Sequence, residues 1–283
     1  MSGSGRSKPG VSPDYRAFEQ LTVAGRGNLG HSLARALKAR LVPARVGFRL
    51  PQAGILFLTV PDGAVRDVAD RIAKMAPSPA LAVVHCSGAL GLEVLDALRE
   101  NPRGSFHPLQ SFPEPRAPSA FRGITVAVDA TTPALERRLR ALARGFGAKP
   151  RHVGASERVA YHAAAVFASN FVDVVVAEAI GLLSQVGWSE KESLDALMPL
   201  VQGGVDNIRR RGTTRALTGP IRRGDAETVA RHVAVMDNPD LYRMLALVGL
   251  EIATKAGLDP AAAERTRRAL TRDVAATQRR SGR

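Results

Sequence analysis

Thr22-Val23-Ala24 runs directly into Gly25-Arg26-Gly27-Asn28-Leu29-Gly30 and then into His31-Ser32-Leu33-Ala34-Arg35-Ala36-Leu37. A short apolar run, a Gly-x-Gly-x-x-Gly turn and an amphipathic segment in this order specify a strand, a tight turn and a helix. Gly25 permits the turn, Gly27 lets the main chain approach a pyrophosphate, and Gly30 allows the helix to pack closely on the strand. At the helix start, Asn28 and Leu29 contribute N–H groups without intrahelical partners, which face an anion favourably. The plainer alternative is a glycine turn that only joins two elements.

The rest of the first half repeats the alternation of apolar runs and amphipathic segments. Strands are expected at 21–24, 45–48, 54–60, 81–85, 105–107 and 124–128, with a last short one near 149–153. Helices are expected near 29–40, 62–75, 90–99 and 132–145. That alternation implies an α/β fold, a doubly wound parallel sheet with helices on both faces. Too few residues lie between Gly30 and the run starting at Gly54 for a strand, a crossover helix and a return, so that helix is expected to be lost or reduced to a loop. From Ser156, a candidate N-cap, the apolar period becomes that of a helix, giving helices at 156–186, 190–210, 225–236, 238–256 and 260–280. The expected organisation is a disordered arm over 1–17, a nucleotide-type domain over 18–153, and an all-α domain over 154–283 with a basic tail.

Composition excludes several classes. One cysteine in 283 residues makes neither a disulfide framework nor a cysteine-rich zinc site, and no spacing of His, Asp and Glu suggests a metal. The start, MSGSGRSKPGVSPD, is polar, and no uninterrupted apolar run approaches the roughly 20 residues of a membrane span. A soluble, cytoplasmic chain without a membrane partner is expected. The net charge of +14 comes mainly from arginine, because lysine occurs only at 8, 38, 74, 149, 191 and 255. The arginines are spread along the chain rather than clustered, so no nucleic-acid partner is expected.

The position of the charges is more informative than their sum. Dinucleotide sites for NAD carry an acid about 20 residues beyond the turn, to accept from the ribose hydroxyls. Between Gln20 and Pro61 the sequence has no acidic residue, and Arg45 and Arg49 stand where the acid belongs, with Arg26 inside the turn. A guanidinium binds a 2′-phosphate that a carboxylate would repel. NADP(H) is therefore expected in preference to NAD(H), although these arginines also suit ordinary surface charge.

Ligands of open α/β sheets lie beyond the carboxyl ends of the strands. Thr59-Val60-Pro61-Asp62, His85-Cys86-Ser87-Gly88-Ala89-Leu90 and Ser105-Phe106-His107-Pro108-Leu109-Gln110-Ser111-Phe112 fall there. Val60, Pro61, Cys86 and Ser87 are thus expected against the nicotinamide. The segments VAGRGNLGHSLARAL, LTVPDGAV, VVHCSGALGLEVL, GSFHPLQSFP, YHAAAVFASNFVDVVVAEA and LTGPIRRGDAETVARHV together resemble the Rossmann-like oxidoreductases with a helical C-terminal domain of unknown function. That group is similar in turn to pyrroline-5-carboxylate reductase, ketopantoate reductase, prephenate dehydrogenase and the deazaflavin-dependent NADP oxidoreductases. The resemblance implies an NAD(P)-binding fold and a homodimer formed through the C-terminal helices.

In the long helix expected from 156, His162, Val166, Ser169 and Asp173 recur at helical spacing and share one face, with Asn170 at its edge. In the related hydroxyacid dehydrogenases and ketopantoate reductases this helix offers a lysine and an asparagine, yet no lysine occurs between Lys149 and Lys191. His162 is therefore the candidate proton donor, with Asn170, His107 and Ser87 as further catalytic candidates. Each has a structural alternative: His162 as a hydrogen-bonded packing residue, His107 as a tie in the turn before Pro108, Cys86 as a small buried side chain. Asp225 reads as an N-cap, and Thr218 with Arg222 or Arg223 as either a structured loop or a clamp on a substrate carboxylate. The expected activity is NADP(H)-dependent hydride transfer to or from a small, anionic carbonyl, imine or hydroxy compound. The alternatives are a non-catalytic NADP-binding or sensing protein and a prephenate-dehydrogenase-like enzyme.

Overall fold

The computed structural model describes residues 18–44 and 48–271. The elements of the first half are β1 (Leu21–Ala24), α1 (Asn28–Leu37), β2 (Arg40–Val42), β3 (Gly54–Leu58), α2 (Val65–Lys74), β4 (Leu81–His85), β5 (Arg103–Pro108), β6 (Thr125–Ala130), α3 (Pro133–Gly145) and β7 (Lys149–His152). They form one seven-stranded sheet in the order β2-β1-β3-β4-β5-β6-β7. The alternation of apolar side chains explains the two layers. On β3, Ile55 and Phe57 face a core with Leu33 of α1 and Leu135 and Leu139 of α3. Leu56 and Leu58 face the opposite core, with Val65, Val68 and Ile72 of α2. The sheet is thus wound on both faces, as the alternation in the sequence implies.

Three local features differ from expectation. The strand that follows α1 is Arg40–Val42, inside the span expected to be helix and loop, because α1 stops at Leu37 and Lys38 turns the chain in a left-handed conformation (φ 54°), while the strand expected at 45–48 falls almost wholly outside the described residues. Ala39 N–H then bonds Ala34 O at 2.9 Å, and Leu41 and Val42 supply the apolar pair for the edge strand. Residues 45–47 and the arm at 1–17 lie outside the described residues, as does the end of the helix expected over 260–280. The segment expected to be helical over 90–99 is wound as 3-10 turns from Leu92 to Leu98. Not every pair is parallel: β5 and β6 run antiparallel. The connecting segment carries Pro113, Pro115 and Pro118, and returns the chain without the crossover helix that a parallel neighbour requires. Between β2 and β3, by contrast, the described residues form no helix, in keeping with the shortness of that stretch.

The second half is helical: α4 (Ala155–Ala168), α5 (Asn170–Ser184), α6 (Glu190–Ala216), α7 (Gly219–Arg223), α8 (Ala226–Ala234), α9 (Asp240–Lys255) and α10 (Pro260–Thr271). The single helix expected over 156–186 is two. Ser169 leaves the helical region (φ −128°, ψ −79°), and the cap at its start is Gly154 rather than Ser156. Within Ala155–Ser184 an 18-residue window reaches a mean hydropathy of 1.8, so this stretch is long and apolar enough to cross a membrane by length and composition alone. Inside α6, Gly212 adopts φ 72°, ψ 166° and kinks the helix just beyond its expected end at 210. Asp225 caps α8 as expected, accepting from Thr228 N at 3.0 Å and Thr228 Oγ1 at 2.8 Å. The Arg222 guanidinium donates to Ala256 O at 3.0 Å, which engages it inside its own unit rather than on a carboxylate. The chain divides into two compact units, one ending at Val172 and the other beginning at Asp173.

Candidate active site

Within the sheet the chain leaves β1 in one direction, to β2, and leaves β3 in the other, to β4. The crevice between β1 and β3 is therefore the switch point at which sheets of this type bind ligands. Gly25 follows β1 with φ 124°, and Thr59 follows β3 with its hydroxyl 3.2 Å from both Ala24 O and Gly25 O. The glycines have separate roles. A Cβ on Gly25 would stand 2.5 Å from Thr59 O, and one on Gly30 would stand 2.0 Å from Gly25 O, whereas one on Gly27 would meet nothing within 4 Å. Gly25 and Gly30 thus keep strand, turn and helix together, and Gly27 leaves its face open.

A cavity of about 600 Å³ opens there, lined by Gly25, Arg26, Gly27, Val60, Pro61 and Arg71 among others, with no carboxylate in its wall among the described residues. Arg71 comes from α2 and donates to Ala44 O at 3.3 Å, tying the segment after β2 to the cavity edge. Of the expected arginines, Arg26 lines this cavity, Arg49 is exposed and does not line it, and Arg45 lies outside the described residues. The Asn28 amide donates to Phe112 O (3.1 Å) and Pro113 O (2.7 Å), so this side chain anchors a neighbouring segment. Leu29 packs into the core. What these two residues offer an anion is their main-chain N–H at the start of α1.

A second cavity, of about 590 Å³, is lined by His107, Gln110, Ser111, Tyr161, His162 and Asn170 among others. β5 delivers His107, and α4 delivers Tyr161 and His162. His107 Nδ1 lies 2.9 Å from the Tyr161 hydroxyl, and the His107 and His162 ring centroids are 6.3 Å apart. Gly88 fits between them: a Cβ there would be 2.8 Å from His107 Cε1 and Nε2 and from His162 Nδ1. Burial pushes the His107 pKa down to about 4, helped by the nearby His162 and Arg158 and opposed by Asp62. Burial likewise raises that of Tyr161 to about 12, against the influence of Arg158. At neutral pH the cavity therefore presents a neutral imidazole and a protonated phenol.

Arg158 lies underneath, 1% exposed. Its guanidinium bonds the Ser105 hydroxyl, Val153 O (3.1 Å) and Ser87 O (3.4 Å), joining the ends of β4 and β5 to α4. Burial works against its charge, while Asp129, Tyr161 and Glu93 favour it. His85 is fully buried, its pKa pushed down to about 3 by burial and then by Arg158.

Two site expectations change. Cys86 does not face the cleft: its side chain belongs to the sheet core, and burial holds its thiol far above the usual range. Ser87 is buried, and its hydroxyl accepts from Ala89 N and Leu90 N at 3.1 Å each, so it shapes the turn after β4. The stripe on the long helix holds only in part. His162, Val166, Ser169 and Asn170 all line the second cavity, but the break at Ser169 ends the periodicity and Asp173 does not join them. The sequence reading missed Tyr161, Arg158, Thr59, Arg71 and Gly88. Tyr161, Gly88 and Thr59 sit within the segments already singled out, without a role of their own, whereas nothing distinguishes Arg158 or Arg71 from the other arginines of so basic a chain.

The model for the Domain of unknown function (DUF2520) matches residues 124–271, just over half of the sequence. The chain belongs to the DUF2520 family. No curated protein matches it. Among solved structures, a Bacteroides fragilis protein provisionally named as an NADP oxidoreductase superposes with a TM-score of 0.70 at 22% identity, covering 84% of this chain and 99% of its own. A Thermotoga maritima protein gives 0.69 at 24%, covering 83% and 98%. Plasmodium falciparum pyrroline carboxylate reductase, solved with NADP bound, gives 0.55 at 13%, covering 89% and 98%. At these identities the likeness establishes the fold, a Rossmann-type sheet followed by helices.

Proposed function

We propose that this DUF2520 protein is an NADP(H)-dependent oxidoreductase acting on a small carbonyl, imine or hydroxy compound. The observation that carries the proposal is the cradle at the switch point, where Gly25 and Gly30 have no room for a side chain and Gly27 is open. A dinucleotide fits these residues: main-chain N–H groups from Gly27 to Gly30 would hold the pyrophosphate, with Arg26 and Arg71 on the 2′-phosphate. The absence of any acid between Gln20 and Pro61 favours NADP(H) over NAD(H). Bound nicotinamide supplies or accepts the hydride, and the protein contributes orientation and a proton.

The second cavity refines the substrate. Its lining carries His107, Tyr161, His162, Gln110, Ser111 and Asn170 but, among the described residues, no lysine or arginine. A carboxylate there would lack a cationic partner, so an uncharged polar carbonyl or imine suits this wall better than the anionic compound expected from the sequence. NADPH titration followed by a screen of uncharged ketones, aldehydes and imines against 2-keto acids tests the reading, with turnover expected in the first group. The absence of a helix among the described residues between β2 and β3 favours a second reading, a dinucleotide sensor, which predicts binding without turnover of any compound in the screen.

Self-association through the helices belongs to the same proposal. In the helical unit Leu200, Val186, Ile208 and Trp188 are exposed at 73%, 70%, 50% and 43%. Large apolar side chains left exposed in this number suit a contact between two copies, and light scattering reads the expected dimer mass.

A further inference from the structure

We propose that His107 is the proton donor of this site and that Tyr161 holds its ring in the one neutral tautomer that can act, with the proton on Nε2. The inference rests on the oxidoreductase reading and adds to it the group that completes hydride transfer.

The geometry supplies the first step. His107 Nδ1 and the Tyr161 oxygen are 2.9 Å apart. A phenol is a stronger hydrogen-bond acid than a neutral imidazole N–H, and an unprotonated imidazole nitrogen accepts better than a phenolic oxygen. The Arg158 guanidinium, close enough to act on both groups, polarises the phenol further in the same sense. Tyr161 therefore donates, Nδ1 is the acceptor, and the single proton of the neutral ring belongs on Nε2. Nε2 is also the edge that Gly88 leaves clear, since a Cβ there would stand 2.8 Å from it.

The surroundings keep the ring neutral. The charged and titratable groups acting on His107 are His162, Arg158 and Asp62, with Tyr161 bonded to it, and of the first three only Asp62 favours a second proton. His162 Nδ1 is buried beside the same glycine with no hydrogen-bond partner among the described residues, so it neither anchors His107 nor competes for its proton.

The step balances. In the reductive direction, hydride from a reduced nicotinamide adds to the carbonyl carbon, the C=O π pair moves to oxygen, and that oxygen takes the proton from His107 Nε2. His107 Nδ1 takes the phenolic proton of Tyr161, which leaves a neutral ring and a phenolate near the Arg158 guanidinium. A solvent proton, relayed by water in the cavity, then adds to Nε2 while Nδ1 returns its proton to the Tyr161 phenolate, so both groups regain their starting state and one solvent proton is consumed per turnover.

A long-range ¹H–¹⁵N spectrum of the full chain without cofactor reads which ring nitrogen of His107 is protonated. The expected result at pH 7 is a single Nε2–H tautomer, replaced in Tyr161→Phe by a mixture of both. A wild-type His107 protonated on Nδ1 overturns the inference whether or not the variant folds, and so does an unchanged tautomer in a folded Tyr161→Phe protein. Failure of the wild type to bind NADPH overturns the oxidoreductase reading instead, and the two failures are read independently.

Discussion

A Cβ on Gly25 would stand 2.5 Å from the carbonyl oxygen of Thr59, so the ends of β1 and β3 can meet as they do only around a residue without a side chain. The left-handed φ of 124° at Gly25 adds to that requirement.

The three glycines should therefore separate by experiment. Gly25→Ala suffers both the clash and about 1–3 kcal/mol of backbone strain, and Gly30→Ala meets Gly25 O at 2.0 Å. Both should lower the melting temperature markedly. Gly27→Ala meets nothing within 4 Å and should melt with the wild type, yet bind NADPH about tenfold or more weakly, each tenfold being about 1.4 kcal/mol. Thermal melts with parallel titrations check the split.

Arg71 should carry cofactor choice together with Arg26. Loss of a charge-assisted bond to phosphate costs about 1.5–3 kcal/mol, so Arg71→Ala should weaken NADPH binding by roughly ten- to a hundredfold and leave NADH binding unchanged. Arg49→Ala, at an exposed position outside the cavity lining, should change neither. Isothermal titration of the two variants with both dinucleotides distinguishes these outcomes.

The sequence made the sheet, its two apolar faces and the glycine turn legible because each rests on local spacing. Side-chain partners across the fold were not. Cys86 and Ser87 stand at a strand end where ligands bind, but the direction of a side chain depends on the register of the strand. Cys86 points into the core, and Ser87 bonds the turn that follows it. His162 and Asn170 could be placed on one face from spacing alone, whereas the break at Ser169 that removes Asp173 leaves no helix-breaking residue in the sequence. Arg71 and Arg158 were hidden by the abundance of arginine, which only burial and hydrogen-bond geometry sort into roles.

Buried histidines make stability depend on pH. His85 and His107 titrate near 6.5 when unfolded but at about 3 and about 4 in the folded chain. Between those values the unfolded state binds more protons, so stability is complete above pH 6.5 and is lost as pH falls toward 4 and 3. At pH 5 the loss is roughly 2 kcal/mol for each histidine. Melting temperatures measured from pH 8 to pH 5 should fall steadily, and His85→Phe should flatten the slope.

Arg158 should be a structural keystone as well as an electrostatic neighbour of the site. Arg158→Ala leaves the Ser105 hydroxyl and two carbonyls without their buried donor, a cost of about 3–5 kcal/mol. A melting-temperature drop of roughly 10 °C is expected. Arg158→Lys should recover only part of it, because one ammonium cannot reproduce the fork that reaches β4, β5 and Val153.

Titration of the full chain with NADPH and with NADH, followed by the change in nicotinamide fluorescence, tests the central claim most directly. Saturable NADPH binding, at least tenfold tighter than NADH and weakened by Gly27→Ala, is the predicted result. No binding of either dinucleotide, or an equal or tighter affinity for NADH, contradicts it.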